Sequence, residues 1–134
     1  MKELKKRVFH NLRMILLSSE EGFSLDLAVA SGHADFSISI ELSEKDYLVI
    51  DSDEERAAFL QAALHHPFQG KETWLTESEQ RNYLDIILHS PEETVEAFLT
   101  EKDHGRAHGS ISNMVRITCG REQSILRSGH WFER

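Results

Sequence analysis

Hydrophobic residues follow two different periods along the chain, and these predict both helices and strands. Near the start, Leu4, Val8, Leu12 and Ile15 are separated by four, four and three residues, which places them on one face of a helix. We therefore expect an amphipathic N-terminal helix over about residues 2 to 18, with its lysines and arginines on the other faces.

The period then changes to two, which is the pattern of a strand with one buried face. Apolar and polar residues alternate over residues 23–29 and again over residues 36–42. Between them, residues 31–33 contain a serine, a glycine and a histidine, which favour a turn. A third apolar stretch at residues 47–50 completes the pattern, so the sequence predicts a three-stranded antiparallel meander.

Capping boxes predict three further helices, because a serine or threonine stands three residues before a glutamate at each expected start. The pairs are Ser52 with Glu55, Thr76 with Glu79, and Ser90 with Glu93. Pro91 suits the first helical position of the third helix. The first of these helices is expected to end before Pro67.

The rest of the chain predicts a loop and a hairpin. Two glycines make residues 104–109 a loop, and residues 114–119 and 124–127 are expected to be two strands around Gly120. We therefore predict a single α+β domain over residues 1–134. Its mainly antiparallel sheet combines the three-stranded meander with the C-terminal hairpin, and the N-terminal helix and three central helices cover it.

The predicted core follows from these periods and suits a chain of 134 residues, 40% of them hydrophobic, that forms one compact domain. Nine positions are expected to be buried: Leu12, Ile38, Ile40, Leu48, Leu60, Leu84, Ile87, Phe98 and Ile117.

Charge is distributed unevenly along the chain. The net charge is −8, but residues 20–103 hold 20 acidic and five basic residues, whereas residues 1–19 and 104–134 are both basic. Some of the acids stand in first turns of predicted helices, where they complement the helix dipole. The remaining acids predict a negative surface, which disfavours nucleic acids and anionic membranes as partners.

Two features bear on cellular location. No apolar run exceeds four residues, far short of the roughly 20 that a spanning helix needs. Cys119 is the only cysteine, so an intramolecular disulfide is excluded and a cytoplasmic location is expected. We also expect a monomer, since the chain has neither a heptad seam nor a long apolar edge.

The loop after Asp103 holds the residues most suggestive of chemistry. His104 and His108 have the spacing that places two imidazoles on one helical face, but the sequence supplies no third metal ligand. With Arg106 and Ser110 they could instead serve a small hydrolase as acid, base and phosphate holder. The two glycines and the missing third ligand disfavour a metal, and the acidity of the chain disfavours the polyanion that a nuclease must attract, so we expect neither a metal nor another cofactor.

Three other side chains have a structural and a functional interpretation. Cys119 alternates with Val115 and Ile117, which favours packing over a nucleophilic role. Trp74 and Trp131 either fill part of the core or anchor a partner, and packing is the commoner role.

A small, acidic, single-domain chain without a catalytic motif resembles, in general character, the bacterial immunity proteins of contact-dependent inhibition systems. This resemblance implies a non-enzymatic protein that docks on a basic partner, a nuclease-type toxin domain, and blocks it. The expected partner-binding residues are Asp51, Asp53, Glu54, Glu72, Trp74, Glu77 and Glu79.

Two alternatives remain open at the level of sequence. A secretion chaperone for an effector is also a small acidic α+β protein, although the three consecutive helices depart from its usual order. The second is the small hydrolase that uses His104 and His108.

Overall fold

The computed structural model of the protein describes residues 5–30, 35–68, 76–105 and 107–133. Within these residues every strand precedes every helix. The strands are β1 (Lys5–Phe9), β2 (Met14–Ser19), β3 (Gly22–Ala30) and β4 (Asp35–Leu42). The helices are α1 (Glu44–Ser52), α2 (Glu54–Phe68), α3 (Glu77–His89), α4 (Glu92–His104), α5 (Ser110–Cys119) and α6 (Gln123–Arg127). The predicted α+β class with an antiparallel sheet is confirmed, while the arrangement of its elements differs.

The four strands form one antiparallel meander in the order β1-β2-β3-β4. The strands predicted over residues 23–29 and 36–42 are confirmed as β3 and β4, and their register pairs Leu25 with Ile40. Leu16 of β2 pairs with Leu25 in turn, and all three side chains are buried on the face that meets the helices. The turn predicted at residues 31–33 lies outside the described residues.

The predicted N-terminal helix is wrong, because residues 5–19 form the β1–β2 hairpin. In β2 the buried residues Met14 and Leu16 alternate with half-buried neighbours, which is the period of a strand. Arg13 takes a positive φ of 54° immediately before β2 and allows the chain to reverse. The strand conformation is favoured because β2 also pairs with β3, its neighbour in sequence, over six residue pairs, and this pairing overrides the helical spacing.

The predicted third strand at residues 47–50 is also wrong, because these residues lie within α1. A capping box that the sequence analysis missed starts this helix: Ser43 Oγ accepts from the Asp46 N–H, and Asp46 Oδ2 accepts from the Ser43 N–H. Leu48 is consequently 55% exposed and not part of the core. Four consecutive apolar residues are compatible with a strand or a helix, and here the capping box favours the helix.

Helix α2 lies at the centre of the protein. Residues 57–65 are buried without interruption, as expected for a helix with neighbours on every side. The helix contacts β3 on one side and α1, α3 and α5 elsewhere. Its start lies one residue later than predicted, because Asp53 Oδ1 accepts from the Arg56 N–H and acts as the cap. Pro67 lies inside the last turn of the helix, which continues to Phe68.

The second predicted capping box is confirmed and the third is wrong. Thr76 Oγ1 accepts a hydrogen bond from the Glu79 N–H, and Glu79 Oε1 accepts one from the Thr76 N–H. Ser90 instead ends α3, and the residue that precedes α4 is Pro91, which makes no side-chain cap.

The predicted C-terminal hairpin is wrong as well, because residues 110–119 and 123–127 are the helices α5 and α6. Ile111 and Val115 are buried at helical spacing, whereas Ile117 is 60% exposed. The buried Asp103 at the end of α4 caps α5, since its Oδ1 accepts from the Ser112 N–H at 2.9 Å.

The core prediction holds in the elements that were predicted correctly, and also at Leu12, which is buried in the turn between β1 and β2 although a helix was predicted there. Leu12, Ile40, Leu60, Leu84 and Ile87 are buried. Ile38 and Phe98 are partly buried and pack against the core. The two exposed members, Leu48 and Ile117, both belong to segments whose secondary structure was predicted wrongly.

Trp131 fills part of the core and is not an exposed anchor. Its ring is fully buried and meets Phe59 edge-on at 6.1 Å. The Glu96 carboxylate on α4 accepts from the N–H groups of Trp131 and Phe132 at 2.9 and 3.1 Å, which fixes residues 131–133 against the helices. Among the described residues, no helix has the length and apolar character required to cross a bilayer.

Candidate binding surface

A cleft of about 640 Å³ opens between the β1–β2 hairpin, α2, α5 and residues 131–133; we call it the Arg7 cleft. Its floor is apolar and is formed by Phe9, Leu12, Ala58, Phe59 and Val115. Charged and polar side chains form its rim: Arg7, His10, Asn11, Glu54, Glu55, Thr118, Arg121 and Glu133. A volume of this size with an apolar floor and polar rim is typical of ligand and partner sites.

Arg7 forms one wall of the cleft together with the junction of α1 and α2. Its Nη1 lies 3.0 Å from Asp51 Oδ1 and also donates to the Asp51 main-chain carbonyl, and its Nη2 lies 3.2 Å from Glu54 Oε1. The guanidinium also lies over the Phe9 ring at 4.6 Å. Arg7 therefore neutralises part of the charge that the sequence analysis assigned to the surface.

Arg121 forms the opposite wall. It donates to the main-chain carbonyls of His130 and Trp131, and its Nε lies 3.5 Å from Glu133 Oε1. The N–H of Glu133 in turn donates to Glu55 Oε2 at 2.8 Å. These contacts leave most acceptor positions of the Glu133 carboxylate facing solvent, since that side chain is 71% exposed.

The structure brings together three of the seven predicted binding residues. Asp51 and Glu54 share Arg7, and Asp53 lies between them in sequence, where its Oδ2 is 3.2 Å from Arg56 Nε. Of these three carboxylate side chains, Glu54 is the most exposed, at 80%.

The other four predicted residues do not join this group. Glu77 and Glu79 lie in the first turn of α3, and Glu79 is engaged in the capping box. Glu72 and Trp74 lie outside the described residues.

A cluster of charged groups that was not predicted from the sequence lies at the other end of α1; we call it the Asp46 cluster. Arg81 of α3 binds both carboxylate oxygens of the fully buried Asp46, each at 2.7 Å. His89 Nε2 is 2.7 Å from Asp46 Oδ1, and Asp85 Oδ1 is 2.7 Å from Arg81 Nη2. The spacing of four between Arg81, Asp85 and His89 places them on one face of α3, so the sequence pattern could have predicted that these three side chains lie together.

The electrostatics of the Asp46 cluster favour the ionised state. Burial alone would raise the pKa of Asp46, but the hydrogen bonds from Arg81, His89 and the Ser43 N–H outweigh it and hold that pKa well below its ordinary value. The hydrogen bond to Asp46 likewise raises the pKa of Arg81. The cluster therefore remains charged and links α1 to α3.

Three members of this cluster also have the chemistry of a metal site. Ligand atoms of Asp46, Asp85 and His89 lie within 4.8 Å of one another. However, Arg81 Nη2 is 2.7 Å from an oxygen of each aspartate, so the guanidinium already provides the positive charge between them. We therefore interpret the group as an ion-pair network.

The histidines of the predicted loop do not form an acid and base pair with free nitrogens. His104 Nε2 is 2.8 Å from the Arg127 carbonyl, and its Nδ1 is 3.1 Å from Arg127 Nη2, so both ring nitrogens are occupied. His108 is exposed in a turn with a φ of 49°, and the hydroxyl oxygen of Ser110 is buried. Arg106 lies outside the described residues.

Cys119 does not pack as predicted. It is exposed at the end of α5 and lines the Arg7 cleft beside Thr118, whose Oγ1 is 3.5 Å from its sulfur. The error follows from the strand predicted for residues 114–119, in which the cysteine would have faced the core.

Comparison with known proteins adds no assignment: no protein-family model, no curated protein and no solved structure matches the chain. The function must therefore be inferred from the cleft and its charges.

Proposed function

We propose that the protein binds a basic protein partner at the acidic rim of the Arg7 cleft and acts by occupying that partner's cationic surface. One observation carries this proposal: Glu54, Glu55 and Glu133 converge on the border of a single cleft with an apolar floor. They outnumber the two guanidiniums there, Arg7 and Arg121, by one, and Asp51, which pairs with Arg7, adds a further carboxylate beside the cleft. A negative rim around an apolar floor combines electrostatic steering with a desolvated contact.

The mode of action that fits this surface is stoichiometric inhibition. Carboxylates on this rim can occupy the positions that phosphates take on a nucleic-acid-binding protein, and they also accelerate encounter with a cationic surface. In a bacterial toxin and immunity pair, the partner would be a nuclease-type toxin domain. The immunity protein then blocks the toxin without any catalytic residue of its own.

The direct test measures association kinetics with a basic partner isolated at low ionic strength. Glu54→Lys and Glu133→Lys should each slow association, and the effect should shrink as salt is added. Glu93→Lys is a matched control, since Glu93 is an exposed carboxylate in the first turn of α4 and lies away from the cleft lining.

The control variant separates a local site from a general charge effect. All three variants change the net charge equally, so an equal loss of association rate in all three would contradict a binding site at the cleft. Failure to isolate any basic partner at low salt would contradict the proposed function itself.

A further inference from the structure

We infer that the Arg7 cleft is a receptor for an arginine side chain carried by the partner, a step that rests on the proposed function and specifies it. The cleft combines the two surfaces that an arginine side chain needs. Val8, which lines the cleft and is 46% exposed, offers apolar surface for the aliphatic stem, and the carboxylates of Glu54 and Glu133 stand at the rim for the guanidinium.

The walls of the cleft already hold guanidiniums of the chain itself. Arg7 is held by two carboxylates and lies over the Phe9 ring, and Arg121 is held by two main-chain carbonyls and a carboxylate. The acceptors in this region are therefore spaced for planar donors that offer several N–H groups. An incoming guanidinium would meet acceptors of the same kind.

Acceptors remain for a third guanidinium. The contact of Glu54 with Arg7 uses Oε1, and that of Glu133 with Arg121 is long at 3.5 Å. Both side chains are mostly exposed, so they can turn toward a ligand without breaking a buried contact. Because carboxylates are in excess at the rim, a cationic occupant relieves their mutual repulsion, whereas an anionic one increases it.

Arginine fits this geometry better than lysine. A guanidinium can bind a carboxylate through two parallel N–H groups, while an ammonium group acts as a compact, strongly hydrated point charge. The cleft presents such carboxylates at its rim, on Glu54 and Glu133.

The test uses three capped pentapeptides that differ at the central residue, which is arginine, lysine or citrulline. Citrulline keeps the shape of arginine and removes its charge. Binding to the folded protein is followed by amide chemical shifts. The arginine peptide should shift the signals of Ala58, Phe59, Val115 and Thr118, which line the cleft. Its affinity should exceed that of the lysine peptide about threefold or more, and citrulline should bind least.

Two double variants make the test specific. Glu54→Gln with Glu133→Gln should weaken binding of the arginine peptide about three- to tenfold, the effect of two solvent-accessible charge pairs. Glu77→Gln with Glu93→Gln removes the same charge elsewhere and should leave the affinity unchanged. Circular dichroism confirms that each variant is folded.

Several results would overturn the inference. They are an absence of shifts at the cleft at millimolar arginine peptide, equal binding of citrulline, and preferential binding of a glutamate peptide, which would make Arg7 and Arg121 the recognition groups. Failure of the two proposals can be distinguished. A basic partner whose association slows with Glu54→Lys and Glu133→Lys, while the arginine and citrulline peptides bind the protein equally, leaves the proposed function and refutes the arginine site. If the cleft binds the arginine peptide but no basic partner is found, the arginine site stands and the proposed function is refuted.

Discussion

The two ends of α1 carry two arginine–carboxylate clusters that differ in burial. At the start of the helix, Arg81 binds the fully buried Asp46 through two bonds of 2.7 Å. At its end, Arg7 binds Asp51 and Glu54 at 3.0 and 3.2 Å, and all three side chains are substantially exposed. The residue types are the same, so the difference lies in the surroundings.

This difference assigns different roles to the two clusters. Both oxygens of Asp46 are occupied by partners of the same chain, namely Arg81, His89 and the Ser43 N–H. The Arg7 cluster keeps acceptors open toward a cleft. Removing one partner from a saturated buried cluster leaves an uncompensated buried charge and destabilises the fold, whereas an unsaturated exposed cluster contributes little to stability and remains available for a partner.

The largest expected effect is that of Asp46→Asn. The substitution keeps the shape of the side chain but removes its charge, which leaves Arg81 and His89 facing a neutral group and weakens the capping box of α1. We expect a loss of about 2–4 kcal/mol in the free energy of unfolding, below the full value for a buried pair because Arg81 is partly exposed. Denaturant titration measures it. Asp85→Asn is the control, and a loss above about 1 kcal/mol there would contradict the distinction between buried and exposed partners.

Acidification should remove part of the same stabilisation. The pKa of Asp46 is depressed in the folded protein, so the unfolded chain takes up the proton first as pH falls. The contribution is complete well above the ordinary aspartate value of about 3.9 and is lost progressively below about pH 4. The stability difference between the wild type and Asp46→Asn should therefore be largest near neutral pH and narrow below about pH 4. His89→Gln introduced into both proteins removes that ring from the comparison; a difference that widens with acidification would refute the assignment.

The elements predicted correctly are those in which two local signals agree. In β3 and β4 the alternation is matched by the register of the pairing, and in α3 a capping box precedes an apolar stripe. The N-terminal residues also satisfied a helical spacing, but they form strands that pair with their neighbours in sequence, β1 with β2 and β2 with β3. These strand pairings override the four-residue spacing that favoured a helix.

The sequence allowed the charges near the candidate site to be predicted, but not which of the charged side chains lie together. The sequence separates a basic stretch at residues 1–19 from an acidic one at residues 20–103, and this was interpreted as a negative surface. In the folded protein Arg7 lies against Asp51 and Glu54, more than 40 residues away, and neutralises part of that surface. Only the topology shows which acids remain open to a partner.

A smaller loss of stability is expected when the geometry of the buried cluster changes and its charge is kept. Arg81→Lys retains a cation beside Asp46 but replaces two parallel N–H contacts by a single ammonium group. We expect a loss of about 1–2 kcal/mol, roughly that of one charge-assisted hydrogen bond. Thermal or denaturant unfolding measures it, and a variant as stable as the wild type would show that net charge alone matters at this position.

The smallest effect on stability, and the sharpest contrast between the clusters, is expected for Arg7→Met. Methionine preserves contact with Phe9 but removes the exposed ion pairs with Asp51 and Glu54, so the free energy of unfolding should fall by less than about 1 kcal/mol. The same change frees Glu54 at the cleft and Asp51 beside it, and makes the rim more negative. Association with a basic partner should therefore become faster at low ionic strength, while Arg116→Met, at an exposed position away from the cleft lining, changes the net charge equally and should have a smaller effect. Slower association of Arg7→Met would mean that Arg7 itself contacts the partner, and the cleft would then have to be reinterpreted as a site for an anionic group.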